Sequence, residues 1–69
     1  MSQDLRRILA DNIKKLRTEG NLKREQLSLL LGFDNSYISK LEKSRVNITL
    51  DKLELIADFF NKKVCDLLQ

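Results

Sequence analysis

Apolar residues recur along the chain in short helical stripes separated by polar punctuation. The first stripe is Leu5, Ile8, Leu9, Ile13 and Leu16, at steps of three, one, four and three. Such steps keep to one side of a 3.6-residue period and predict an amphipathic helix. Gly20-Asn21 follows, and both residue types tolerate the left-handed backbone of a helix C-terminus. A second helix is predicted over residues 24–31. Leu22 and Leu27 hold the two positions of a hydrophobic staple around a cap at Lys23, although lysine offers no acceptor oxygen. Gly32 stops this helix. Asp34 is a favourable N-cap for a third helix over residues 35–43, and Phe33 with Ile38 repeats the staple spacing. After a loop over residues 44–48, Thr49 caps a fourth helix reaching about Phe60. Its staple is Ile48 with Leu53, and its inner stripe is Leu53, Ile56, Ala57 and Phe60. A short last helix carries Val64, Leu67 and Leu68. No segment alternates with a period of two, so the expectation is an all-α domain of five helices.

Only about three residues, 32–34, join the second and third helices. So short a link forces a steep crossing, as in a helix-turn-helix. The crossing needs apolar inner faces, supplied by Leu27, Leu31, Ile38 and Leu41. It needs a small residue at the close approach, and Ser28 is small. It needs positive φ in the turn, and Gly32 permits it.

The 69 residues make one domain, 1–69, with a small core and a narrow stability margin. There is no His, hence no imidazole base or ligand, and the single Cys65 builds neither an internal disulfide nor a zinc cluster. No cofactor is expected. No apolar run reaches the ~20 residues that span a bilayer, and the N-terminus lacks a leader's pattern, so no membrane partner and a reduced, cytoplasmic setting are expected. The net charge of +3 is unevenly spread. Residues 14–47 carry a net +4, the remainder −1. Positive charge in the middle of the chain fits nucleic acid, and equally a solvated helical surface.

The stretch from Leu22 to Phe60 resembles the Cro/CI-type (XRE-like) helix-turn-helix family of phage repressors and bacterial regulators. Leu27, Ser28, Gly32, Tyr37, Ile38, Ser39, Leu41 and Glu42 match that family's residue types, and the likeness extends to Ile13, Leu16, Arg17, Leu53, Ile56 and Ala57. It covers nearly the whole chain and implies a compact lambda-repressor-like fold. The small size and the loop Asn47-Ile48-Thr49 look most like controller proteins of restriction–modification systems.

The resemblance implies that the third helix enters the major groove of double-stranded DNA. It places base contacts at Asn35, Ser36 and Lys40. The chemistry agrees: Asn pairs with adenine N6 and N7, Lys donates to guanine O6 and N7, and Ser bonds either way. Contacts to the DNA backbone are implied for Arg24, where the family usually has Gln, and for Lys23, Tyr37, Ser39, Lys43, Arg45 and Asn47. Tyr37 has packing at the start of the helix as its alternative. Arg17 and Glu42 match a family ion pair that sets the angle of the third helix, so Arg17 is expected to be structural.

Two departures from the family pattern stand out. Leu29 and Leu30 replace usual polar residues, and one of them is expected to extend the core. Lys62 stands where an apolar residue commonly precedes the last helix. One recognition helix reads few base pairs, so a homodimer is expected, through Leu55, Phe59, Val64 and Leu68, with Cys65 a small half-buried residue nearby. A dimer on a promoter can block RNA polymerase, and one just upstream can recruit it. The competing reading is a small helical protein–protein interaction module, suggested by Leu29 and Leu30. An enzyme is disfavoured, because the serines lack a His base and Asp51, Glu54 and Asp58 share one helix at solvation spacings.

Overall fold

The structure is a computed structural model describing residues 3–69, with side chains from Asp4 onward. Residues 1 and 2, the start of the N-terminal segment expected to lack a leader's pattern, lie outside the described residues. The helices are α1 (Gln3–Glu19), α2 (Arg24–Leu30), α3 (Tyr37–Glu42), α4 (Leu50–Phe59) and α5 (Val64–Leu67), with no strand among the described residues. Each helix contributes to one core: Leu9 and Ile13, Leu27, Ile38 and Leu41, Leu53, Ile56 and Ala57, and Leu67. The Cα radius of gyration is 10.6 Å, against about 11 Å expected for a single packed body of this length. α3 packs chiefly on α2 and α1, so the core side of α3 is Ile38 and Leu41.

Four helices end in one way. The residue past each C-cap takes positive φ: Asn21 at 57°, Gly32 at 77°, Ser44 at 58° and Asn61 at 54°. The next N–H then reaches back to a carbonyl of the last turn: Leu22 to Arg17 (3.0 Å), Phe33 to Ser28 (2.8 Å), Arg45 to Lys40 (3.0 Å) and Lys62 to Ala57 (2.8 Å). This is the Schellman closure, which satisfies carbonyls the helix leaves open. Of the pair Gly20-Asn21, it is Asn21 that turns left-handed.

The helix starts differ more from expectation. α3 begins two residues later than the spacing predicts, with Ser36 at the N-cap. Asp34 does not cap it. The Asp34 carbonyl accepts the Tyr37 N–H, and its carboxylate lies 3.4 Å from Ser36 Oγ. An amide that a cap could have taken, Ile38 N–H, is taken from outside the helix by the Ser28 hydroxyl of α2. Phe33 does not act as a staple there; it meets the Tyr37 ring edge-on at 4.8 Å. At α2 the Lys23 side chain supplies no cap, and Gln26 Oε1 instead accepts the Lys23 N–H at 2.8 Å. At α4 Thr49 Oγ1 accepts the Lys52 N–H at 3.2 Å.

Neither Leu29 nor Leu30 enters the core; they are 58% and 61% exposed. In seven-residue α2 the inward arc is filled by Leu27, Ser28 and the C-cap Leu31, and 100° per residue leaves positions 29 and 30 outside it. Val64 and Leu68, assigned above to a dimer surface, are half-buried against the core, whereas Cys65 is exposed. The α5 turn forms despite exposed Lys62. Asp66 Oδ2 accepts the Lys63 N–H at 3.1 Å, and Asn12 Nδ2 donates to the Leu67 and Gln69 carbonyls at 2.8 and 3.1 Å. No helix among the described residues is long and apolar enough to cross a membrane.

Candidate nucleic-acid interface

Ile38 and Leu41 are committed to the core, Glu42 to Arg17 and Tyr37 partly to packing, which leaves Asn35, Ser36, Ser39 and Lys40 as the polar surface of the third-helix region. Asn35 and Lys40 are exposed, and Ser36 and Ser39 half-buried. Asn35 and Ser36 lie in the turn leading into α3, Asn35 one residue before the N-cap and Ser36 at it, rather than within its helical span. The turn is held at both ends, by Gly32 at positive φ and by the Ser28 hydroxyl on Ile38 N–H (3.1 Å). Ser28 is fully buried and also donates to the Arg24 carbonyl at 2.9 Å. One small side chain therefore links α2 to the start of α3.

Three helices meet around an open hollow of about 640 Å³. Lys14 and Arg17 of α1, Lys23, Arg24 and Glu25 at the start of α2, and Asn35 and Ser39 line it. The Arg17 charge is neutralised from below. Its Nε and Nη2 donate to the two Glu42 carboxylate oxygens at 2.6 and 3.1 Å, and Nη1 donates to the Leu22 carbonyl at 2.8 Å. The side chains are only 11% and 5% exposed, so this bidentate pair is part of the scaffold that ties α1 to α3. The exposed charges left in the hollow are Lys14, Lys23 and Arg24 against Glu25. Cations beside an amide and a hydroxyl suit phosphate binding next to base-edge hydrogen bonding.

The other residues assigned to DNA contact from the sequence fall outside this hollow. Lys43 lines a second hollow with Asp4, Arg7, Asp11, Glu42 and Ser44, where the exposed Asp4 and Asp11 carboxylates offset the charges of Lys43 and Arg7. Arg45 is exposed just after left-handed Ser44. Asn47 accepts a hydrogen bond from Arg6 Nη2 through its side-chain oxygen, which leaves its side-chain NH2 to donate to a phosphate. Tyr37 is half-buried, with Lys52 Nζ 4.5 Å from its ring centroid, and burial pushes its phenol pKa up. Both packing and an outward hydroxyl are compatible with that placement.

Sequence reasoning missed three residues. Lys14 belongs to the hollow and stands three positions before Arg17, a helical spacing that could have found it. Ser28 was singled out for size alone, not for its hydroxyl. Lys52 on the aromatic pair had no sequence signal, because Phe33, Tyr37 and Lys52 come from separate elements. Among the described residues no cluster of His, Cys, Asp and Glu could hold a metal ion.

Comparison with known proteins agrees with this architecture. A family model described as helix-turn-helix matches residues 13–67. Control protein C.SmaI of Serratia marcescens is 37% identical over 65 residues, covering 94% of this chain and 77% of that protein. A hypothetical transcription factor of Neisseria meningitidis serogroup B is 38% identical over 55 residues, 80% of this chain and 52% of its own length. The crystal structure of a hypothetical transcription factor from Neisseria superposes with a TM-score of 0.90 at 34% identity, covering 97% of this chain and 77% of that one. The chain belongs to the helix-turn-helix family of DNA-binding transcriptional regulators.

Proposed function

We propose that this regulator reads duplex DNA sequence-specifically as a homodimer on a pseudo-palindromic operator, and that it serves as the controller of a restriction–modification system. The observation that carries the DNA reading is the hollow that brings Asn35 and Ser39 beside Lys14, Lys23 and Arg24. Asn35, Ser36 and Lys40 read base edges in the major groove, while Lys14, Lys23, Arg24 and Arg45 hold phosphates. The similarity to Control protein C.SmaI supports the controller role. Leu55 and Phe59 support the dimer. They stand four residues apart on α4, 49% and 42% exposed, beside the buried Leu53, Ile56 and Ala57 stripe rather than within it. Two recognition regions about one turn (~34 Å) or a multiple apart follow from such pairing. Occupancy of the operator then excludes or recruits RNA polymerase according to its position. The reading assigns the chain no catalytic step and a cytoplasmic setting.

Selection of bound sites from a random duplex pool, followed by affinity measurement across a salt series, tests this. One phosphate each for Lys14, Lys23, Arg24 and Arg45 in a dimer gives a log–log salt slope of about −7. An inverted repeat among the selected sites supports the reading. The exposed pair Leu29 and Leu30 favours a second reading, a protein-binding module. No duplex selection and flat salt dependence would replace the first reading with the second.

A further inference from the structure

Lys52 lies on α4, outside the hollow, yet its ammonium sits over two rings that belong to the DNA-reading region. Nζ is 4.5 Å from the Tyr37 centroid and 5.6 Å from that of Phe33. The rings meet edge-on at 4.8 Å with an interplanar angle of 60°. Each member is anchored by its own backbone. Phe33 N–H is bonded to the Ser28 carbonyl, Tyr37 N–H to the Asp34 carbonyl, and Lys52 N–H to Thr49 Oγ1. Lys52 and both rings are half-buried, and a cation held within about 6 Å of a ring centroid is attracted by the ring's negative face.

We propose that Lys52 is a positioning residue for DNA reading: its ammonium, held on the Phe33 and Tyr37 rings, fixes the first turn of the recognition helix. Tyr37 directly follows Asn35 and Ser36, so locking its ring locks the segment carrying both side chains. A charge spent on ring faces is not a phosphate ligand. Lys52 therefore acts on sequence discrimination, unlike Lys14, Lys23 and Arg24.

The inference rests on the DNA reading, and the experiment separates the two. A selected duplex and a scrambled one are titrated with the wild-type chain, Lys52→Met, Lys52→Arg and Lys52→Met in a Tyr37→Leu background. If the wild-type chain distinguishes no duplex, the DNA reading fails. If it does, Lys52→Met is expected to weaken the selected duplex about two- to fivefold. It leaves the scrambled duplex and the salt slope unchanged, Lys52→Arg restores discrimination, and the Met substitution adds nothing once Tyr37 is Leu. Equal weakening on both duplexes with the dimer's salt slope reduced by about two would make Lys52 a phosphate contact and overturn the proposal. No change on either duplex would overturn it too. In the free protein, ring currents should move the Lys52 Hε resonances upfield, and Tyr37→Leu should return them towards ordinary values. An unshifted Lys52 in the wild type would also refute the contact.

Discussion

The Ser28 hydroxyl accepts the Ile38 N–H at 3.1 Å while donating to the Arg24 carbonyl at 2.9 Å. A buried side chain of α2 thus supplies the cap that α3 lacks within its own sequence. Removing the oxygen leaves a buried amide without its partner, which costs about 1–3 kcal/mol. Ser28→Ala is expected to fold with stability reduced by that amount in urea titration. DNA affinity should fall as well, since Asn35 and Ser36 sit on the segment the bond holds.

Arg17 and Glu42 make the converse kind of contact, ionic and nearly dry. Breaking one side strands the other charge, at a cost of order 3–5 kcal/mol. Glu42→Ala and Arg17→Met are expected to be strongly destabilised in denaturant. In a domain whose total margin is about 5–15 kcal/mol, either change competes with folding itself. A double substitution to apolar residues of similar volume should recover much of the loss.

Gly32 and Ser44 occupy equivalent left-handed positions with opposite residue choices. Nothing lies within 4 Å of a Cβ built on Gly32, so Gly32→Ala tests backbone strain alone. A loss of about 1–2 kcal/mol is expected. Ser44→Gly should stabilise by up to a similar amount, because Ser44 already carries the strain that glycine relieves. Thermal denaturation of the two variants in opposite directions is the expected outcome.

Base reading and backbone holding separate by their salt response. Asn35→Ala is expected to cost about 1–3 kcal/mol on a selected site and to relax preference at one base position. Arg24→Ala and Lys14→Ala should weaken binding to every duplex alike, each removing one phosphate contact per protomer and so reducing the dimer's salt slope by about two. An Asn35→Ala variant with unaltered preference would remove that residue from the reading surface.

The exposed leucines of α2 and the outer face of α4 are expected to differ in sedimentation analysis. Leu55→Lys with Phe59→Lys should yield a monomer with weak operator binding. Leu29→Ser with Leu30→Ser should leave the oligomeric state unaltered. A dimer that survives the first pair and dissociates with the second would move the interface to α2.

Local pattern alone determined the five helices, the short turn at Gly32 and most of the core. Residues such as Ile13, Leu27, Ile38 and Ile56 recur at helical spacing whatever surrounds them, and Thr49 carries its cap in its own side chain. The start of α3, the exposure of Leu29 and Leu30, and the half-burial of Val64 and Leu68 against the core were decided only in three dimensions. Each depends on a partner distant in sequence or on how much of an arc another element has already filled. The hollow belongs to the same class. Lys14, Arg24 and Asn35 are adjacent only after α1, α2 and α3 have packed, because a periodic pattern names the face a residue takes but not the neighbour it meets there.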